Sequence, residues 1–315
     1  MVDGAIRDTG TYRFSGCRDD FEAADTCDFS SPFKGDATYR LPQALTESSD
    51  VFFYTLGGEG FWKEPVQGPE GDEGIQAEAR LLGLGASTGV QLPSERTGAV
   101  PDRAYFDKKA AEGVFGRDGS QWFGGDTIQL AIGQGQLLVT PIQLANLYAT
   151  LGNGGTLHQI NVVERIEHPD GTVLEFGPRV LRTIEASPAH LAQIEQGLVG
   201  VTKNSRGTAY SAFSGFPLTT WPVAGKTGTA QVKGKADTSI FAAYGPTDDP
   251  DVGVVAEPTI AISVVLEESG FGSAAAAPIV RNILEPYATK TLPRAVPLDE
   301  STSLGQTTTP TEEAP

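Results

Sequence analysis

The run Gly225-Lys226-Thr227-Gly228-Thr229-Ala230-Gln231-Val232 decides the fold. It follows Pro222 and opens three β-rich segments in quick succession: Val223 to Val232, Thr238 to Tyr244, and Pro258 to Leu266. A small-residue linker then feeds a helix predicted from about Ala274 to Tyr287. Upstream the text is mainly helical. Leu41 to Leu56 reads as helix, interrupted by Thr46-Glu47-Ser48-Ser49-Asp50. Thr140-Pro141 supplies a cap and a first-turn proline for Ile142 to Ala149, and Ser187-Pro188 repeats that signal for a helix to about Val201. Helices first, strands late and a closing helix predict an α+β fold rather than an alternating parallel sheet.

Between these elements the reading is coarser. Residues 1 to about 38 are polar and rich in Gly and Asp, with Thr11-Tyr12-Arg13-Phe14 the only obvious strand-like piece. Gly57 to Gly74 reads as a Gly/Pro/Glu loop before a short helix, Ile75 to Leu82, and Gly83 to Asp102 as loop. Asn161 to Glu167 and Thr172 to Phe176 alternate apolar and polar residues around Pro169-Asp170-Gly171, which predicts a β-hairpin with His168 as a turn residue. Residues 291–315 are rich in Thr, Pro, Glu and Ser and are expected to be a disordered tail behind a domain spanning 1–290.

Composition removes several classes of function. The 315 residues carry 23 Lys+Arg against 40 Asp+Glu, a formal charge of −17. A basic face able to neutralise phosphates is not expected, so no nucleic acid is expected as partner. No run approaches the roughly 18 apolar residues of a membrane helix. Met1 to Asp8 has neither a basic nor an apolar region of a secretory signal. Cys17 and Cys27 either form a local disulfide or are unrelated loop residues, and no Cys/His cluster has the spacing of a metal site. Neither a metal nor another cofactor is expected.

Two short motifs can carry chemistry. On an exposed strand, the Lys226 ammonium and the Thr227 and Thr229 hydroxyls would make a carboxylate-binding surface, with Gly228 admitting a substrate backbone. The alternative is a solvated strand start. In Ser48-Ser49-Asp50, a hydroxyl two positions from a carboxylate can relay a proton and hold a peptide group. The same triplet also suits a helix N-cap, with Asp50 ahead of Val51-Phe52-Phe53-Tyr54.

Taken in order, S-x-D at Ser48-Ser49-Asp50, Gly133-Gln134-Gly135 before the Thr140-Pro141 helix, and K-T-G-T-A at Lys226 to Ala230 resemble the transpeptidase domain of penicillin-binding proteins, which combine S-x-x-K, S-x-N/D and K-T-G motifs. Ala44 to Tyr54 is similar to the second-motif region of the class B, elongation-type enzymes. Leu84-Gly85 through Glu95, Ala131 through Pro141, and Phe241 to Tyr244 extend the likeness over roughly residues 9 to 288. The resemblance implies the fold shared with serine β-lactamases, an antiparallel sheet flanked by helices. It also implies serine acyl transfer on D-Ala-D-Ala stem peptides of peptidoglycan, with β-lactams as mimics that trap the acyl-enzyme. Ser48 would shuttle the proton between nucleophile and leaving group. Asp50 would orient the substrate's peptide group and brace the lysine network. Lys226 would hold Ser48 in register, Thr227 and Thr229 would bind the substrate carboxylate, and the Thr229 N–H would form half of an oxyanion hole.

The nucleophile departs from the pattern. The chain's one S-x-x-K, Ser31-Pro32-Phe33-Lys34, stands too close before Ser48 for the helix and return segment that normally intervene, and Gly35-Asp36-Ala37-Thr38 does not continue a helix. Ser31 and Lys34 are therefore expected to be loop residues. The domain is expected to be incomplete at its N-terminal side, with the serine motif, a membrane anchor and contacts to cell-wall synthesis partners belonging to a longer, extracytoplasmic protein. The fragment alone is expected to be inactive. A non-catalytic relative that binds stem peptides or partners is the alternative, and a β-lactamase or D,D-carboxypeptidase fits the motif spacing less well.

Overall fold

The computed structural model describes residues 4–15, 27–32, 35–62, 74–114, 122–232, 234–249, 251, 253–254 and 256–291. Lys34, Cys17 and nearly all of the expected tail lie outside them. Cys27 is disulfide-bonded.

Near the start, β1 (Ile6–Asp8) pairs antiparallel with β4 (Ala37–Tyr39), and β2 (Thr11–Arg13) with β3 (Asp28–Ser30). Helices α1 (Leu41–Glu47) and α2 (Asp50–Thr55) follow, broken where the polar interruption predicts. The loop expected from Gly57 begins later, because α2 runs into a π-helical segment, Leu56–Phe61. Gly57 packs there so closely that a Cβ would stand 3.0 Å from the Ala131 Cβ, and this tertiary contact outweighs glycine's poor helix propensity. Next come α3 (Gly74–Leu81), α4 (Arg103–Ala111), α5 (Gly124–Ala131) and α6 (Pro141–Gly152). Short strands β5 (Thr156–His158) and β8 (Val180–Thr183) pair around the hairpin of β6 (Arg165–Glu167) and β7 (Val173–Glu175).

The long helix α7 (Pro188–Lys203) precedes the sheet that organises the rest. Strands β9 (Ala224–Ala230), β10 (Thr238–Gly245) and β11 (Ile260–Leu266) form it in the order β11-β10-β9, antiparallel throughout, and α8 (Ala276–Ala288) closes the order. Side chains of β10 alternate between two cores, as a pleated strand requires. Phe241 and Ala243 join Val223, Phe213, Phe216, Val280 and Leu284 under α8. Ala242 and Tyr244 join Ala224, Tyr148, Leu198 and Val199 under α6 and α7. Fully burying an aromatic or aliphatic side chain of this size is worth ~1.5–3 kcal/mol, so the two layers clamp the sheet from both faces and fix β10, the strand with which β9 pairs.

Helix α1 is brought to the sheet by α7. Gly197 and Gly200 face it, and a Cβ on either would press into Leu45 or Thr46, so only glycine allows this approach. The buried Thr46 hydroxyl donates to the Gly197 carbonyl at 3.0 Å, and Thr202 on the same helix donates to the Val223 carbonyl at 2.8 Å. One helix thus fixes both the end of α1 and the start of β9.

Candidate active site

Ser48 sits where α1 ends. It adopts a left-handed conformation, φ 58° and ψ 53°, which is uncommon for a residue with a side chain and lets the chain turn at once into α2. The cap of α2 is Ser49, within the triplet that the sequence offered as a cap; its Oγ accepts from the Phe52 N–H at 3.2 Å, and Asp50 is the first helical residue. The helix dipole favours a carboxylate in a first turn, but burial outweighs it at Asp50.

Lys226 meets Ser48 from the strand side. Its Nζ donates to the Ser48 Oγ at 2.6 Å and to the Thr227 carbonyl at 3.1 Å. Although the residue as a whole is half-buried, protein surrounds the ammonium. Burial pulls its pKa down to about 8, while the negative charge of Asp50 opposes that fall. Asp50 is pushed up to about 6 by burial, against the pull of Lys226 and with a smaller upward push from Asp8. Tyr54, one turn along α2, is raised to about 12 by burial and by Asp50. A lysine and a carboxylic acid whose proton affinities are both drawn toward neutrality thus flank the turn that carries Ser48, which is how sites that move protons near neutral pH are tuned.

Strand β9 presents the rest. Within the described residues it pairs as a strand only with β10, with Lys226 opposite Ala242 and Thr229 opposite Ser239, so its outer edge carries no further strand. The Thr227 and Thr208 hydroxyls lie 2.7 Å apart. Gly272 N–H donates to the Thr229 Oγ1 at 3.4 Å, and Gln134, from the Gly-Gln-Gly segment, donates to the Thr229 carbonyl at 3.3 Å. A residue's N–H and C=O leave an extended strand on the same side, so the Thr229 N–H faces the open edge too. Gly228 has Ile240 beneath it, 3.3 Å from where its Cβ would be.

The structure therefore brings Ser48, Asp50, Lys226, Thr227, Gly228 and Thr229 together. It places Ser31 apart in kind, buried at the end of β3 with its N–H bonded to the Gly10 carbonyl. Three neighbours escaped the sequence reading: Thr208, Gly272 and Asp8. Gln134, by contrast, lies in the Gly133-Gln134-Gly135 segment that the sequence singled out, and both of its flanking glycines take positive φ. Among the described residues no cluster of three His, Cys, Asp or Glu side chains could hold a metal ion.

An edge strand with a lysine and two hydroxyls, facing a serine–carboxylate turn, agrees with comparison to known proteins. Residues 21–285 match the family described as the penicillin binding protein transpeptidase domain, and the chain belongs to that family, as a class B, elongation-type member. It is 29% identical over 288 residues to the peptidoglycan D,D-transpeptidase MrdA of Haemophilus influenzae, covering 84% of this chain and 39% of that one. The chain thus spans about two-fifths of that relative's length. A structure of a peptidoglycan synthase complex, solved to show how polymerization and crosslinking are coordinated, superposes with a TM-score of 0.69 at 25% identity over 95% of this chain and 44% of the other. Penicillin-binding protein PBP2 of Helicobacter pylori, solved with MreC, shares the fold with a TM-score of 0.67 at 23% identity, covering 93% and 46%.

Proposed function

We propose that this chain forms the substrate-holding part of a peptidoglycan D,D-transpeptidase, a serine acyl-transfer enzyme of cell-wall cross-linking. The observation that carries the reading is the 2.6 Å contact between Lys226 Nζ and Ser48 Oγ at the open edge of β9. A stem peptide ending in D-Ala-D-Ala lies along β9, its terminal carboxylate drawn by the Lys226 charge and bound by the Thr227 and Thr229 hydroxyls. A serine from an S-x-x-K segment outside these 315 residues gives its proton to the lysine of its own motif and attacks the penultimate carbonyl. The Thr229 N–H and the nucleophile's own N–H receive the oxyanion. As the C–N bond breaks, Ser48 relays the proton taken up by that lysine to the departing D-Ala amine, and Asp50 holds the substrate's peptide group. An amine of a second strand then takes the acyl group and the serine recovers its proton. β-Lactams follow the first half of this path and stay bound.

The curated MrdA relatives are named for this activity, and the burial of Ser31 at a strand end supports a nucleophile from elsewhere. The same reading sets the working protein at the extracytoplasmic face of a bacterial plasma membrane, held by an anchor, with partners of the kind that the MreC complex of the H. pylori protein illustrates. A fluorescent penicillin tests it. No adduct is expected on the 315-residue chain alone, and a strong one on a polypeptide in which an S-x-x-K segment precedes it. Labelling of this chain that vanishes in Ser31→Ala would overturn the assignment.

A further inference from the structure

Behind the serine–carboxylate turn stands a second acid. Asp8, at the end of β1, is 5% exposed, and among the described residues it meets no cation within ion-pair distance. Its Oδ2 accepts from the Ser49 Oγ at 2.5 Å, and its Oδ1 accepts from the Gly10 N–H at 2.8 Å. The first bond crosses 41 residues of sequence to reach the one side chain that caps α2. Burying a carboxylate without a cation is costly, and charge-assisted hydrogen bonds only partly repay it.

We infer that Asp8, acting through Ser49, is a positioning residue that holds the Ser48–Ser49–Asp50 turn in place and sets the charge around its acid and hydroxyl. Three features carry this. Ser49 is locked from both sides, accepting from the Phe52 N–H and donating to Asp8, so its backbone cannot drift. Its neighbour Ser48 is in the left-handed conformation, a state that persists only where the surroundings impose it. Finally, Asp8 lies close enough to Asp50 for its charge to raise that acid's proton affinity. The titratable groups that act on or feel Asp50 are Lys226 on β9, Asp8 on β1, and Tyr54 farther along α2. Removing the Asp8 charge leaves Lys226 as the dominant partner, and Asp50 then gives up its proton more readily. The inference rests on reading Ser48 and Asp50 as the proton-handling pair, but its test needs no penicillin.

The test follows Asp50 in the 315-residue chain by carbon NMR of labelled aspartate, with Asp50→Asn to assign the signal. In the unaltered protein the midpoint is expected at about 6. Asp8→Asn keeps the shape and the acceptor for Ser49 but loses the charge, and it should move the midpoint lower. Asp8→Glu keeps the charge and should leave it near its original place. Coincident midpoints for the Asn variant and the unaltered protein would overturn the electrostatic part. A crystal structure of Ser49→Ala tests the geometry even if Asp8→Asn does not fold. Ser48 should leave the left-handed conformation and lose its contact with Lys226; an unchanged turn would overturn the positioning role. A failure of penicillin labelling in the longer polypeptide would touch the functional reading and leave both measurements standing.

Discussion

Lys226 Nζ and Ser48 Oγ, one on an edge strand and the other at a helix end, stand 2.6 Å apart although 178 residues separate them in sequence. Helix α7 makes the meeting possible, since its glycines admit α1 while Thr202 ties it to the residue before β9.

The pair is expected to be indispensable to acyl transfer. In a polypeptide that includes an S-x-x-K segment, Ser48→Ala should slow acylation by a β-lactam by roughly 10²–10⁴, the usual contribution of a positioned proton-transfer group. Stopped-flow acylation rates check this, and a change below about fivefold would remove Ser48 from the relay.

The pH profile should be bell-shaped. Protonation of Asp50 below about 6 and loss of the Lys226 charge above about 8 each disable one partner, so acylation should peak between them. Rates measured from pH 5 to 9 test it; a flat profile across that range contradicts the assignment.

The same shifts make the site a cost to the fold at neutral pH. Asp50 is raised from its ordinary 3.8, so its contribution favours folding below that value and is lost as pH rises through about 6. Lys226 is lowered from 10.5, so its contribution favours folding above that value and is lost as pH falls through about 8. Both contributions are absent between about 6 and 8. The double variant Asp50→Asn/Lys226→Met should therefore melt higher than the parent at pH 7, by the equivalent of about 1–4 kcal/mol, while losing function. Calorimetry that found it less stable would sink this account.

Thr208→Val should act on affinity. The Thr227 hydroxyl loses its 2.7 Å partner, so it is less well oriented for a substrate carboxylate. With about 1 kcal/mol at stake, β-lactam binding should weaken roughly fivefold while the acylation step changes little. Equal losses in both constants would argue for a wider disturbance.

Gly272→Ala should be among the more damaging single changes. Its Cβ would collide with the Gly228 and Ile240 carbonyl oxygens, forcing β9 away from the residue that bonds Thr229. A cost of about 1–3 kcal/mol is expected from such overpacking, with a lower melting temperature as the readout. An unchanged melt would show that the loop yields freely.

Much of this was legible in the sequence because the signals are local. Thr140-Pro141 predicts a helix start, and the structure adds a capping box in which Thr140 and Gln143 bond each other's backbone N–H. Helix α5 escaped notice because Gly124-Gly125 hides its first turn, although Asp126 closes it by accepting the Phe123 N–H. The π-helical continuation of α2 escaped for the opposite reason, since contact with α5, not local preference, keeps Gly57 helical.

What the sequence by itself determined is the order of elements and the residue types at the site. Periodicity, caps and turn residues act within a few positions, and the Ser48-Ser49-Asp50 and Lys226-Thr227-Gly228-Thr229 motifs are contiguous. Only the tertiary structure decided that Ser48 turns left-handed toward Lys226, that Thr208 and Gly272 support the two threonines, and that a buried Asp8 anchors Ser49. Those relations depend on the approach of α1 to α7 and of α7 to β9. Packing between distant segments governs that approach, and no window of neighbouring residues encodes it.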